Sequence, residues 1–387
     1  MKNWPHVRLA DVFRLEMGKT PDRGNAAYWG GSRKWASIAD IGRSGMFLVD
    51  TKEKISDRAI AETGIKSVPA NTIVMSFKLS IGKTAITQDE LFTNEAIMAF
   101  HPLGQKLFDL HFLYHLFSTK DWAVGCNKAV KGVTLNKATL REVRIPCPPL
   151  EAQEQIAKVL DGICAIVEQT QNQITKFDEL VKSRFVEMFG GAKNYAKVRV
   201  DEVFSVGGPK RIHKEEWTNE GVPFLKISDL MNRLENGIRT ADCYISKTRY
   251  DELRAANQVP KAGDVLVTAR GTIGRCYVVD ADDEFYFQDG MITWLSEKRD
   301  NIDLTYFLAA VQMPEFRRQY EGKSAGTTVA YLTIGQLAKF QLPLPPIEEQ
   351  RKFSAFVAEV DKSEFAVRKR LEKARQLYRA KLQEYFG

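Results

Sequence analysis

Two glycine turns flanked by cations are the segments of this chain whose residue types point most directly to chemistry. The sequence LSIGK at residues 79–83 has its counterpart in GTIGR at residues 271–275. Two positive side chains beside one exposed loop suit phosphates or guanine edges. The candidate contact residues are Lys78, Lys83, Arg270 and Arg275. The alternative is that the glycine serves only the backbone geometry and that the cations beside it are simply solvated.

A second pair of matching loops lies at residues 128–136 and 323–332. Glycines, small hydroxyls and basic side chains can donate hydrogen bonds to a run of phosphates. The candidates there are Lys128, Lys131, Lys323, Thr327, Thr328 and Tyr331. A purely structural role for these loops remains open. A basic cluster at residues 210–214 adds Arg211 as a weaker candidate.

Catalytic and cofactor-binding patterns are not found in this sequence. Gly82-Lys83-Thr84 looks like the end of a phosphate-binding loop, but Phe77 stands where the leading glycine belongs. His111 and His115 are four residues apart on a predicted helix, where the neighbouring apolar residues favour ordinary packing over a metal site. We therefore predict no catalytic centre, no metal and no cofactor.

The composition is that of a folded chain with a modest positive charge. The 387 residues are 44% hydrophobic and carry a formal net charge of +7, which suits a polyanionic partner without requiring one. The five cysteines are scattered, and no apolar run approaches the length of a membrane span. We expect a cytoplasmic protein with reduced thiols and no membrane contact.

The second half of the sequence repeats the first. Residues 7–13 return as residues 198–204, and the motif Ile-x-Asp at residues 38–40 returns at 227–229. The clearest match closes each copy, where PCPPLEAQ at 146–153 corresponds to PLPPIEEQ at 343–350. From there the two copies run without a gap to a Phe-Gly pair at 189–190 and at 386–387. The chain is thus a tandem duplication.

Each copy ends in a segment that predicts a long helix. Residues 151–189 and 348–386 contain no proline, follow a Pro-Pro pair and begin with acidic residues. Apolar residues recur in heptads, and Glu364 is the clearest interruption. Each helix would be about 58 Å long at 1.5 Å per residue. Such a pair would pack antiparallel as a rigid spacer, although each helix packing on its own domain is the alternative.

Between these helices the sequence predicts mixed α and β structure. In both copies a β-rich run leads into the glycine turn and then into another β-prone run, which indicates a hairpin. We predict an α+β fold with globular domains at residues 1–149 and 191–346. The long helices would occupy residues 150–190 and 347–387 and pack as an antiparallel coiled coil.

The duplication, the Pro-Pro-hydrophobic-Glu junctions and the equal-length helices together resemble the specificity subunits of type I restriction-modification systems. The resemblance spans essentially the whole chain. It implies two target-recognition domains that each read one half of a split, asymmetric sequence in double-stranded DNA. It also implies that the helices set the gap and dock two methyltransferase (modification) subunits. Methyl transfer, translocation and cleavage would then belong to partner chains, including restriction subunits where these exist.

Two other classes of function remain at this point. A coiled-coil scaffold whose globular ends bind proteins would use the same helices and the same duplication. Salt-dependent DNA binding in the presence of a methyltransferase partner separates it from the specificity subunit. A self-sufficient enzyme is disfavoured because the sequence lacks a nucleophile, metal or cofactor pattern.

Overall fold

The computed structural model describes residues 4–78, 80–104, 107–122, 128–129, 132–133, 135–190, 195–321 and 331–387. It divides into two compact units: residues 1–173 with 367–387 form unit 1, and residues 174–366 form unit 2. Each unit therefore combines one globular half with parts of both long helices. The four-segment division at residues 149, 190 and 346 stays a prediction.

Unit 1 holds the first globular half. Its strands are β1 (His6–Arg8), β2 (Phe13–Met17), β3 (Trp29–Ala36), β4 (Phe47–Leu48), β5 (Glu53–Ile55), β6 (Ile73–Ser76), β7 (Thr84–Thr87), β8 (Phe92–Thr93), β9 (Ile97–Pro102), β10 (Lys128–Ala129), β11 (Gly132–Val133) and β12 (Arg144–Pro146). Its helices are α1 (Leu9–Val12), α2 (Ile38–Arg43), α3 (Asp57–Thr63), α4 (Leu110–Thr119), α5 (Lys137–Glu142) and the start of α6 (Leu150–Phe189).

Unit 2 holds the second globular half. Its strands are β13 (Lys197–Arg199), β14 (Ser205–Gly207), β15 (Trp217–Thr218), β16 (Val222–Leu225), β17 (Tyr244–Ile245), β18 (Val265–Thr268), β19 (Cys276–Val278), β20 (Tyr286–Phe287), β21 (Ile292–Ser296) and β22 (Gln341–Pro343). Its helices are α7 (Val200–Val203), α8 (Ile227–Asn236), α9 (Lys247–Ala255), α10 (Leu304–Ala310), α11 (Pro314–Arg317), α12 (Ile334–Ala338) and the start of α13 (Ile347–Phe386).

The two halves share one sheet topology, as the repeat in the sequence predicts. The order β2-β9-β6-β7 in unit 1 matches β14-β21-β18-β19 in unit 2, and unit 1 adds β4 at one edge. The hairpins predicted around the glycine turns are present, with β6 antiparallel to β7 and β18 antiparallel to β19. In each half the first strand pairs with the strand before the Pro-rich junction, through Val7 opposite Ile145 and Val198 opposite Leu342.

Both predicted long helices are present, each 40 residues long. The apolar positions of the heptads are largely buried, as at Leu160 and Phe353, because they face the neighbouring helix and the globular core. Among the residues that the structure describes, no helix combines the length and apolar character needed to cross a bilayer.

Within each unit the segments of the two long helices run side by side in opposite directions. In unit 1 the end of α13 joins the hydrophobic core that also contains the start of α6, and Arg375 of α13 donates to the Gln171 side chain of α6 at 3.2 Å. In unit 2 the end of α6 meets the start of α13, with Phe185 and Phe353 ring centroids 5.5 Å apart. The antiparallel arrangement predicted from the duplication is therefore seen inside each unit.

Candidate nucleic-acid interface

The glycine turn of the first half is held by the last residue of β6. The Ser76 hydroxyl is buried, donates to the Ser80 carbonyl oxygen and accepts from the Lys83 backbone N–H at 3.1 Å. The Gly82 N–H donates to the Ser76 carbonyl oxygen at 2.9 Å. These bonds satisfy the backbone of a tight loop, so its conformation is defined without the flanking cations.

The turn of the second half repeats this arrangement with a threonine. Buried Thr268 donates through Oγ1 to the Thr272 carbonyl oxygen and accepts from the Arg275 N–H at 3.0 Å. The Gly274 N–H donates to the Thr268 carbonyl oxygen at 2.9 Å. The role of this hydroxyl was missed at the level of sequence, although a hydroxyl residue ends the strand in both copies.

Glycine is required in both turns for two reasons. Gly82 has φ +89° and Gly274 has φ +80°, a region that other residues enter at a cost. A Cβ on Gly274 would lie 2.7 Å from the Tyr320 hydroxyl, and one on Gly82 would lie 3.0 Å from Cδ1 of Trp122. An aromatic side chain thus covers each turn at close range.

Three of the four predicted turn cations are exposed. Lys83, Arg270 and Arg275 form no ion pair with any residue that the structure describes. Lys78 differs because it is half-buried, with its Nζ 4.0 Å from the Met17 sulfur and 5.3 Å from the Phe77 ring centroid. These three cations are therefore accessible to a phosphate group.

In the second half the two predicted loops meet. Tyr331 forms an isolated antiparallel bridge with Arg270, and the Leu332 N–H donates to the Ala269 carbonyl oxygen at 2.8 Å. The Tyr331 side chain is 48% exposed, so an aromatic face is available beside the turn cations. The hydroxyl of such a group can donate a hydrogen bond to a phosphate or sugar oxygen of a nucleic acid.

The remaining predicted site residues are not brought to these turns by any described contact. Arg211 lies in the loop between β14 and β15, where its Nε is 3.8 Å from Asp289 Oδ2 in an exposed pair. Lys128 belongs to β10, but its side chain lies outside the described residues. Also outside the described residues are Lys131, Lys323, Thr327 and Thr328.

The glutamine that ends each Pro-rich junction has a structural role that the sequence reading did not assign. Gln153 is fully buried; its amide donates to the Leu107 and Pro148 carbonyl oxygens and accepts from the Asp109 N–H. Gln350 makes the corresponding three bonds, to Asn301, Pro345 and Asp303. Each long helix is thereby attached to the loop that precedes α4 in unit 1 or α10 in unit 2. The glutamine that recurs in both junctions is the sequence feature that could have indicated this role.

A polar network joins α4, α6 and α13 inside unit 1, with His115 buried and its partners half-buried. Asp161 bonds His111 Nδ1 and His115 Nε2, both at 2.7 Å, and Tyr378 donates to His115 Nδ1 at 2.9 Å. Burial lowers the pKa of His115, so the ring stays neutral, and burial raises the pKa of Tyr378. Among the described residues no group of three or more side chains is arranged to hold a metal ion. The two histidines stabilise helix packing.

A family model for the type I restriction modification DNA specificity domain matches residues 1–176 and 192–374. The MjaIX type I restriction enzyme specificity subunit of Methanocaldococcus jannaschii is 30% identical over 387 aligned residues, covering 92% of this chain and 86% of the relative. A putative specificity subunit of Haemophilus influenzae is 29% identical over 64% of this chain and 63% of its own length.

Two solved structures are similar in fold. The S subunit from M. genitalium has a TM-score of 0.54 at 14% identity and covers all of this chain and 96% of its own. A chain from a structure of a type I R-M complex has a TM-score of 0.60 at 18% identity, covering 100% of this chain and 98% of its own. With a family model over both copies and a relative aligned along nearly its full length, the chain belongs to the type I restriction-modification DNA specificity family.

Proposed function

We propose that this protein is the sequence-reading subunit of a type I restriction-modification complex. Each globular half reads one half of a bipartite, asymmetric target in double-stranded DNA. Lys83 in the first half, and Arg270, Arg275 and Tyr331 in the second, are the contact residues that the structure supports best. Lys and Arg anchor phosphates, whereas loop side chains read base edges in the grooves.

One observation carries this proposal. The two halves present the same hydroxyl-held glycine turn, but the cations beside it and the surrounding residues differ. A shared scaffold with different contact side chains is what two readers of two different short sequences need. Because Lys83, Arg270 and Arg275 form no ion pair with any residue that the structure describes, they are accessible to DNA phosphates.

The long helices supply the spacing and the docking surface. A stiff connector is needed because half-sites on B-DNA recur with the helical repeat of about 34 Å. We propose that α6 and α13 set the gap between the half-sites and dock methyltransferase subunits in the cytoplasm. Methyl transfer and any cleavage then take place on partner chains, and this chain supplies specificity.

Methylation mapping tests the proposal. The chain is co-produced with its methyltransferase partner in a host without other methylation, and modified positions are read by long-read sequencing. A motif of two different short sequences separated by a fixed gap is expected. A contiguous motif, or methylation by this chain without a partner, would contradict the proposed function.

A further inference from the structure

The positive charge of this protein is concentrated in its last 21 residues. Residues 367–387, called the basic segment below, contain seven Lys or Arg and two Asp or Glu, so they contribute +5 to a chain whose formal net charge is +7. The segment belongs entirely to unit 1 and, except for its last residue, to α13. Residues 347–366 of the same helix carry five acidic and three basic residues.

Helix pairing does not account for this charge. The repeat counterpart of the basic segment, residues 170–190 of α6 and its terminal glycine, has three basic and three acidic residues. That neutral sequence forms the corresponding end of an equally long helix and packs in unit 2 with Phe185 and Phe189 buried. The surplus of basic side chains therefore distinguishes one copy of the duplication from the other.

The cations of the basic segment lie on the exposed side of α13. Leu371 and Ala374 face the core, whereas Arg370, Lys373 and Arg379 are exposed and form no ion pair with any residue in the described ranges. Arg375 donates to the neutral side-chain oxygen of Gln171 at 3.2 Å. Arg370, Lys373, Arg375 and Arg379 are thus exposed without a carboxylate partner among the described residues, whereas Lys381 pairs with Glu384 at 2.7 Å.

The spacing of these cations lowers the stability of α13. Arg370 and Lys373 are three residues apart, and Arg375 and Arg379 are four residues apart, spacings at which like charges on a helix repel. A segment that served only packing would gain stability from acidic residues at these positions. The pattern therefore indicates an external polyanion.

We propose that the basic segment binds the phosphate backbone of duplex DNA without reading bases, as a third contact beside the two globular halves. The inference rests on the proposed function, because it takes the DNA from there. A polyanion fits this face because clustered Lys and Arg side chains along one helix are the electrostatic footprint of nucleic-acid binding, and the face offers few large apolar side chains to a protein. Leu377 is the one large apolar side chain of the segment that is strongly exposed among the described residues.

The test uses the intact chain assembled with its methyltransferase partner. The variant R370Q/K373Q/R379Q removes three cations, and glutamine retains helix propensity. The matched control R351Q/K352Q/K362Q removes three exposed cations from the other part of the same helix. Affinity for a cognate and a non-cognate duplex is measured by fluorescence anisotropy over a series of salt concentrations, and circular dichroism checks folding.

The slope of log affinity against log salt is negative, and we expect its magnitude to fall by about 2 to 3 in the variant, equally on both duplexes. Each lost phosphate contact reduces that magnitude by about 0.9. The control keeps the slope of the wild type. The single substitution Lys373→Gln should lower the slope by about 1.

Each of the other possible results leads to a different conclusion about the basic segment or the proposed function. An unchanged slope in a folded variant, with specific binding retained by the wild type, overturns the inference and leaves the proposed function standing. Unchanged DNA binding with loss of the methyltransferase subunit would instead assign the basic segment to a protein interface. Absence of salt-dependent DNA binding by the wild-type complex would remove both the inference and the proposed function.

Discussion

At the scale of single residues, the two glycine turns share one backbone conformation but differ in the side chains beside it. Ser76 and Thr268 bind the backbone of their turns through the same hydroxyl contacts, so the loop shape does not depend on the cations. The side chains beside the turn are then free to differ between the copies. This separation lets the two halves diverge in specificity without losing the fold.

Two glycines of the second turn distinguish backbone strain from close approach. Both Gly274→Ala and Gly271→Ala place a side chain at positive φ, which costs about 1–2 kcal/mol. Only at Gly274 does the new Cβ also meet a neighbour, the Tyr320 hydroxyl, because a Cβ on Gly271 has no atom of the described residues within 4 Å. We expect Gly274→Ala to lower the thermal unfolding temperature more and to weaken DNA binding. Equal losses in the two variants would show that the aromatic cover does not matter.

At the scale of elements, the junctions explain how a helix of 40 residues is attached to a small domain. Gln153 and Gln350 each make three buried hydrogen bonds that tie the first turn of a long helix to a loop of the globular half. A buried amide that satisfies three backbone groups fixes direction as well as position. The helix therefore leaves the domain at a defined angle.

Replacing Gln153 tests whether its hydrogen bonds attach α6 to the globular half. Gln153→Met keeps the length of the side chain but leaves one N–H and two carbonyl oxygens without partners, at a cost of about 1–3 kcal/mol for each unsatisfied group. The free energy of unfolding of unit 1, measured by urea denaturation, should fall by several kcal/mol. The control Gln155→Met, at an exposed position on the same helix, should change it little. Similar free energies of unfolding for both variants would show that the Gln153 hydrogen bonds do not stabilise the attachment of α6.

The polar network of unit 1 predicts a pH dependence of stability. Burial lowers the pKa of His115 below the ordinary value of 6.5, while the unfolded ring keeps that value. As the pH falls through 6.5, the unfolded state takes up a proton that the folded ring does not, so the free energy of unfolding decreases. It levels off once the pH falls below the folded-state pKa.

Unfolding free energies at pH 7.5 and pH 5.5 check this expectation. His115→Ala should reduce the loss of stability between these values, even though it lowers stability at both. An unaltered pH dependence in His115→Ala would assign the effect to other groups, such as His101, whose pKa burial also lowers.

At the scale of the whole molecule, the chain is two compact units that each unite one globular half with both long helices. The turn cations of the first half lie in unit 1 and those of the second half lie in unit 2. Substitutions in separate units with no shared partner usually have additive effects. The two halves should therefore contribute independently to DNA binding.

Lys83→Ala and Arg270→Ala test this independence. Each should weaken binding of the assembled complex to cognate DNA and lower the salt slope by about 1, and the double variant should show the sum of the two free energies. The matched controls are Arg58→Ala and Arg318→Ala, exposed cations of unit 1 and unit 2 that pair with Glu62 and Glu315. Unchanged affinity and salt slope in both single variants would remove these turns from the contact surface.

The sequence by itself determined the duplication, the two long helices, the hairpins and the family. These features depend on local periodicity and on repeated order along the chain: heptads at Leu160 and Phe353, Pro-Pro junctions, and β-prone runs around Gly82 and Gly274. Such patterns can be recognised without knowing which distant residues meet.

The tertiary structure alone decided the rest. It showed that Tyr331 pairs with Arg270, that Lys78 is half-buried whereas Lys83 is exposed, and that His115 is bonded to Tyr378, 263 residues away in the chain. Burial and the pairing of charges depend on contacts between residues far apart in sequence, and one sequence carries no record of those contacts. For this reason the positions of the cations could be predicted, but not which of them remain available to DNA.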